Sequence, residues 1–327
     1  MALITADDWR ESWSRLEQRG WGFLWSKFNP NGLARTRSTF GDEHLETANW
    51  WIVPAVRQRW NKLITGDPGL RYEDYFVEKY LGDRQGLRML SLGCGIASHE
   101  RYLASFSCFE EITAIDLSSK LIEAARRKAQ ADGLENIQFE VADINDLELP
   151  ADYYDVVMFH ASLHHFKNLQ GLIGRKIPHT LKTGGLLLIN EYVGPNRLQW
   201  PAHQVEEANR LLKELVPTSH RSRFRSHRAK NHLTGPGWLR MLISDPSEAV
   251  ESESILPLLH EYFTPLEEKP YGGNLLVLIL KDIAHHFVDE THENQAILSA
   301  LFKAEDKWLK QQASMMLFGV YSVPASQ

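Results

Sequence analysis

The sequence predicts an α/β fold: a parallel sheet with helices on both faces. Three observations carry this. Short apolar runs alternate with amphipathic stretches between residues 86 and 191, an alternation that implies right-handed crossovers. The first run breaks at Gly93-Cys94-Gly95, where the chain must turn sharply. The second and third are followed by the acids Asp116 and Asp143.

In order, Met89–Leu92 reads as the first strand and Ile112–Ile115 as the second. A helix from Ser118 to about Ala131 carries Leu121, Ile122, Ala125 and Ala129 on one side and is closed by Asp132-Gly133, a usual glycine stop. Ile137–Val141 alternates as a third strand, and Val156–Phe159 is a buried fourth. Phe166–Lys182 reads as one helix, turned by Thr183-Gly184-Gly185 into a fifth strand, Leu186–Ile189.

Residues 1–85 read as a helical appendage or lid. Thr5 and Asp8 cap a helix bearing Trp9, Trp13, Leu16, Phe23 and Leu24, which breaks at Asn29-Pro30-Asn31-Gly32. A second helix from about Glu43 carries Trp50, Trp51, Val53, Val56 and Trp60, and Pro54 should kink or restart it. A third carries Tyr72, Tyr75, Phe76 and Tyr80. These rings either pack the appendage onto the main domain or roof a pocket. Residues 86–195 form the core unit and 196–260 a helical insertion, expected to cap the substrate. Residues 261–327 complete the sheet, with strands at Phe263–Tyr271 and Met316–Tyr321 and two helices across 275–312.

The 327 residues carry a net charge of −6, which argues against nucleic acid gripped over the whole surface. Cys94 and Cys108 are the only cysteines and have no metal-ligand or disulfide spacing. The acidic, polar start and the lack of a long apolar stretch predict a cytoplasmic protein without a membrane span.

The chemistry concentrates at Leu90–Ser98. A strand running into Gly-x-Gly brings a ligand against bare backbone at a helix N-terminus. Asp116, about 20 residues on, can accept both hydroxyls of a ribose. Asp143 can accept from an adenine amino group, with Ile144 against the ring.

With LSLGCGIAS, ITAIDLS, VADINDLELP, YDVVMFHASLHHF and LKTGGLLLINE in place, the chain resembles the class I, Rossmann-like S-adenosylmethionine-dependent methyltransferases over residues 86–191 and the last strand. The resemblance implies seven strands, mostly parallel, with the last antiparallel. It implies S-adenosylmethionine as cofactor and S-adenosylhomocysteine as product. Gly93 and Gly95, with Ser91 and Cys94 in the same run, would approach the methionine part. Asp116 would hold the ribose, Leu117, Asp143 and Ile144 would flank the adenine, and His160 would line the floor between cofactor and acceptor. Ala97 stands where a third glycine is frequent. No second half for nicotinamide is visible, which disfavours hydride transfer.

Candidate catalytic residues follow strands four and five: His160, His164, His165, Glu191 and Tyr192. His160 and His164 are four apart and would share a face on a helical turn. These histidines with Glu191 have donor chemistry a metal accepts, but no metal is expected. The basic stretch 220–230 offers Arg221, Arg223, Arg225 and Arg228 to an acceptor bearing carboxylate or phosphate, or else pairs within the chain with acids such as Glu248, Glu251 and Glu253. The expected function is methyl transfer to a small-molecule acceptor. An RNA or protein methyltransferase and a non-catalytic cofactor binder are the alternatives. The aromatic N-terminal helix can serve a homodimer as readily as a lid.

Overall fold

The computed structural model describes Thr5 and residues 48–226, 228–238, 241 and 246–324. The first expected helix, its Asn29–Gly32 break and the start of the second lie outside the described residues.

Seven strands, β1 (Leu87–Leu92), β2 (Phe109–Asp116), β3 (Ile137–Val141), β4 (Tyr154–His160), β5 (Leu181–Tyr192), β6 (Thr264–Gly272) and β7 (Met316–Ser322), form one sheet. Their order is β3-β2-β1-β4-β5-β7-β6. The first five pair in parallel, and β7 runs antiparallel to both β5 and β6. This is the Rossmann-like arrangement the sequence implied. Side chains alternate between faces, so Met89, Val156, Met158 and Leu188 enter one core while Leu90, Val157, Phe159 and Leu187 enter the other. With both faces covered, the strands read as continuous apolar runs.

Helix α1 (Pro54–Thr65) follows a single turn at Trp50–Ile52. Pro54 restarts the helix in its first turn, where a missing N–H costs nothing. Helix α2 (Tyr72–Phe76) continues into a wider turn, Val77–Leu81. Helix α3 (Ser98–Ala104) follows the glycine turn. Helix α4 (Ser119–Ala131) is capped by the Ser118 side chain, which accepts from the Leu121 N–H. Farther on lie α5 (Ala202–Leu215), α6 (Ile255–Tyr262), α7 (Leu276–Leu280) and α8 (His292–Leu309).

Two expectations change. The helix expected over Phe166–Lys182 is shorter: Leu169–Gly171, Leu172–Lys176 and Ile177–Thr180 follow one another without a break as one helix, wider in its middle segment, and β5 begins directly after it at Leu181. Leu181 pairs with Tyr154 before the register jumps to Leu186 opposite Val156, so Thr183-Gly184-Gly185 bulges inside the strand. Residues 275–312 hold three helical pieces, Ala284–Phe287 being the extra one. Among the described residues no helix is long and apolar enough to cross a membrane.

Buried Lys230 ties residues 196–260 to the core. Its Nζ donates to the carbonyls of Leu278, Ile279 and Lys281 at 2.6, 3.1 and 2.6 Å. These lie at the C-terminal end of α7, where carbonyls lack intrahelical partners and a cation is favoured. Lys230→Met is expected to lower the unfolding free energy in urea titration by about 1.5–3 kcal/mol, the usual worth of a charged hydrogen bond. An unchanged midpoint would show that the tie contributes nothing.

Candidate functional site

At the end of β1 the chain turns through Gly93 (φ 78°) and Gly95 (φ 57°). The N–H groups of Gly93 and Cys94 donate to the Ile115 carbonyl at 2.8 and 3.1 Å. A Cβ at Gly93 would stand 2.6 Å from the Cβ of Ser162, whereas one at Gly95 would meet nothing within 4 Å. The turn is therefore closed on the Gly93 side and open over Gly95. Asp116 stands at that opening. Its two carboxylate oxygens accept from the N–H of Gly95 at 2.9 Å and of Ser118 at 2.8 Å. Burial raises its carboxyl, and those two N–H groups partly oppose the shift. Ala97 adopts the left-handed conformation (φ 54°) while fully buried.

The turn after β4 is held by Glu191, whose side chain is fully buried. Its Oε1 accepts from the N–H of Ser162 and of Leu163 at 2.6 and 2.7 Å, and its Oε2 lies 2.7 Å from His164 Nδ1. Ser162 Oγ donates to the Leu92 carbonyl at 2.7 Å, seating this turn on the glycine turn. The Nε2 of His164 and of His165 both face Glu248, at 3.8 and 4.0 Å. Tyr192 donates its hydroxyl to the Pro195 carbonyl at 3.0 Å, and burial pushes its phenol up.

His160 belongs to a different group. Its ring lies 3.6 Å, centroid to centroid, from that of His99, and its Nδ1 is 2.8 Å from the Tyr72 hydroxyl. His99 Nδ1 lies 2.6 Å from Glu73 Oε1 and so carries the hydrogen. The Tyr72 hydrogen then goes to His160 Nδ1, which leaves the His160 proton on Nε2 (a tautomer assigned from the network). Burial, with the charge of His99, holds His160 well below the usual histidine range. It is thus a neutral donor at Nε2. Burial alone would raise the Glu73 carboxyl, but His99 and Arg71 outweigh it and hold Glu73 at about 2. The shared helical face expected for His160 and His164 does not form. Ala161 (φ 47°) and Ser162 (φ −133°, ψ −36°) are not helical, so the four-residue step places the two rings in separate clusters.

The other expected residues divide. Asp143 accepts from the Asn145 backbone and side-chain nitrogens at 2.9 and 2.8 Å. With half-buried Leu117 it stands beyond the ends of β2 and β3. Ile144 is buried in the core rather than presented at that edge. Ser91 turns away from the opening and donates to buried Glu100 at 2.6 Å. Cys94 is half-buried, and burial pushes its thiol up. The arginines do not converge on an acceptor site. Arg221 donates to the carbonyls of Val216 and Lys213, Arg223 pairs with Asp282, and Arg225 lies over the Phe224 ring. Arg228 is exposed. Among the described residues, Asp282 is an acid that pairs with the stretch. Glu251 instead accepts from the N–H groups of Asn168 and Leu169.

A family profile described as a methyltransferase domain matches residues 83–259. The chain belongs to that methyltransferase family. The 27-O-demethylrifamycin SV methyltransferase of Amycolatopsis mediterranei is 31% identical over 137 residues, 41% of this chain and 50% of that protein. Phosphoethanolamine N-methyltransferase 3 of Arabidopsis thaliana is 33% identical over 125 residues, 38% of this chain and 24% of that one. The chain thus spans about half, or less, of the length of these curated relatives. A Haemonchus contortus phosphoethanolamine N-methyltransferase 2, solved with S-adenosyl-L-methionine, superposes with a TM-score of 0.50 at 14% identity, covering 95% of this chain and 60% of that one. At that identity the likeness is one of fold.

The residues of this chain fit S-adenosylmethionine. The space over Gly95 is open, and the carboxylate beside it is already oriented by two N–H groups, with lone pairs left for two hydroxyls. Sequence reasoning missed Glu73, His99, Glu100, Ser247 and Glu248. His99 and Glu100 had a local signal, since they follow the glycine turn directly. The others come from distant segments.

Glu73 yields a pH test. Its folded pKa, about 2, lies below the ordinary value of 4.5, so its stabilisation is complete above about 4.5 and is lost as pH falls toward 2. The stability advantage of the wild type over Glu73→Gln is expected to shrink across that window in urea titrations. An advantage that does not change with pH would contradict the network.

Proposed function

We propose that this protein binds S-adenosylmethionine on the Gly93–Gly95 turn and transfers its methyl group to a small-molecule acceptor. The observation that carries the reading is the open cradle over Gly95 beside the preset carboxylate of Asp116. When bound, the cofactor supplies an electrophilic methyl group on a sulfonium. Asp116 would hold the ribose hydroxyls, and Leu117 and Asp143 would border the adenine. The backbone at Gly95 would admit the methionine part.

The protein's remaining task is alignment. Holding acceptor and methyl in line can be worth up to roughly 7–11 kcal/mol. His160 is suited to donate a hydrogen bond from Nε2, not to remove a proton. Glu191 has its oxygens committed to the turn, and Tyr192 donates within its own loop. The acceptor's reacting atom therefore belongs beside His164, His165 and Glu248. These stand against the glycine turn through Ser162.

Small acceptors are supported by the names of relatives, which include a demethylrifamycin and a phosphoethanolamine methyltransferase. Pairing of Arg221 and Arg223 within the chain removes the basic-groove argument for RNA. An anionic acceptor loses the support those arginines would have lent.

The test is calorimetry with S-adenosylhomocysteine, followed by mass spectrometry for its formation from S-adenosylmethionine with a panel of small hydroxyl, amine and acid acceptors. Asp116→Ala is expected to weaken binding at least about tenfold, since each charged hydrogen bond is worth roughly 1.5–3 kcal/mol. Wild-type protein giving no binding heat would end the reading.

A further inference from the structure

We propose that His164, His165 and Glu248 form a site for one divalent transition-metal ion, on the acceptor side of the cleft. One ligand atom from each residue lies within 4.8 Å of the other two. The orientation of the rings is the stronger observation. Each imidazole has its Nδ1 turned back onto protein: His164 onto Glu191 Oε2 at 2.7 Å, and His165 toward Ser247 Oγ at 3.5 Å. Each Nε2 is turned to the same carboxylate, at 3.8 Å from one oxygen and 4.0 Å from the other. Two ligands each about 2.0–2.2 Å from one ion can stand up to about 4.4 Å apart, so both separations admit a shared ion.

Metal-binding histidines almost always donate their second ring N–H to a carboxylate, carbonyl or water, which fixes the tautomer and raises ligand basicity. Glu191 meets that description for His164, and its full burial makes the orientation rigid. Two carboxylates at the cluster, Glu191 and Glu248, balance the charge of a dication. Two imidazoles and one carboxylate favour zinc, iron(II), cobalt or nickel over magnesium or calcium, which prefer oxygen. Three protein ligands leave a coordination position for an acceptor oxygen. A metal would lower the pKa of a hydroxyl bound there, so that its proton passes to solvent water and the oxygen is left as the nucleophile. The sequence predicts no metal and offers only Glu191 as a conceivable carboxylate ligand beside the histidines; Glu248 takes that place, because Glu191 faces the Nδ1 side.

The role beside the acceptor rests on the methyltransferase reading, whereas the ion site rests on its ligands alone. The test uses tag-free, chelator-stripped protein titrated with Co²⁺, read by visible ligand-field absorption, and with Zn²⁺, read by calorimetry. Wild type is expected to bind one ion. Glu248→Gln and His165→Ala are each expected to weaken binding by at least the roughly 10–100-fold that loss of an outer partner alone costs. S-adenosylhomocysteine affinity should be unchanged in Glu248→Gln. Anomalous diffraction from Zn²⁺-soaked wild-type crystals, with a peak between the three side chains, gives a readout that needs no variant. No uptake by wild type, uptake equal in the variants, or a peak elsewhere would overturn the site. Homocysteine-product binding without metal would leave the methyltransferase reading standing, and metal without product binding would sink that reading alone.

Discussion

A buried carboxylate at the end of β5 fixes the geometry of the cleft. Glu191 accepts from two successive backbone N–H groups and one imidazole, all within 2.7 Å. Removing one partner of a buried charge typically costs about 3–5 kcal/mol, so this contact is not one among many. It stops the chain leaving β4 from continuing as a strand or a helix. It lays Ser162 on Gly93 so closely that only glycine fits there, and it aims His164 into the cleft. The glycine turn and the turn after β4 are thus one construction, joined through the Ser162–Leu92 hydrogen bond.

The same turn separates two sets of histidines that differ in chemistry. His160 points back to α2 and α3, where burial and its neighbours keep it neutral, with Tyr72 filling its Nδ1. His164 has Nδ1 on a carboxylate, which makes its Nε2 the basic end. One ring offers a proton and the other a lone pair. Five residues of sequence hold both, and the left-handed residue Ala161 is what parts them.

The fold was legible because its signals are local. The order of strands and helices, the Gly93–Gly95 break, Asp116 at the next strand end and the Ser118 start of α4 are each written in a few neighbouring residues. The site beyond the cofactor was legible only in part. His164 and Glu191 stood out after their strands, but nothing in the spacing says that one grips the other. Tyr72 read as an aromatic in a helical appendage, and its hydroxyl meets His160 only through folding across 88 positions. Glu248 lay in the helical insertion, where it read as a partner for arginines. Those arginines misled for a physical reason: a run of like charges shows that counter-charges or carbonyls are needed, not where they come from. Here they come from Asp282 and from carbonyls at the C-terminal end of α5.

Four of the nine described non-glycine residues with positive φ lie in or against the turns that carry His164, His165 and Glu248. Ala161, Arg197, Leu198 and Ala249 all have positive φ without being glycine, at roughly 1–2 kcal/mol each. Three of the four belong to the two loops that face each other after β5. The Arg197 N–H donates to the Ala249 carbonyl at 2.6 Å, and its guanidinium donates to the carbonyls of Pro246 and Glu248. Ser252 Oγ adds a bond to the Gly194 carbonyl at 2.8 Å. These contacts fix the backbone that carries Glu248 opposite His164 and His165. Strained residues persist only where surrounding contacts over-determine them, and here the Arg197 contacts to Pro246, Glu248 and Ala249 supply them. The cost is consistent with a carboxylate that must be held still, at the distance where two imidazoles can share something with it.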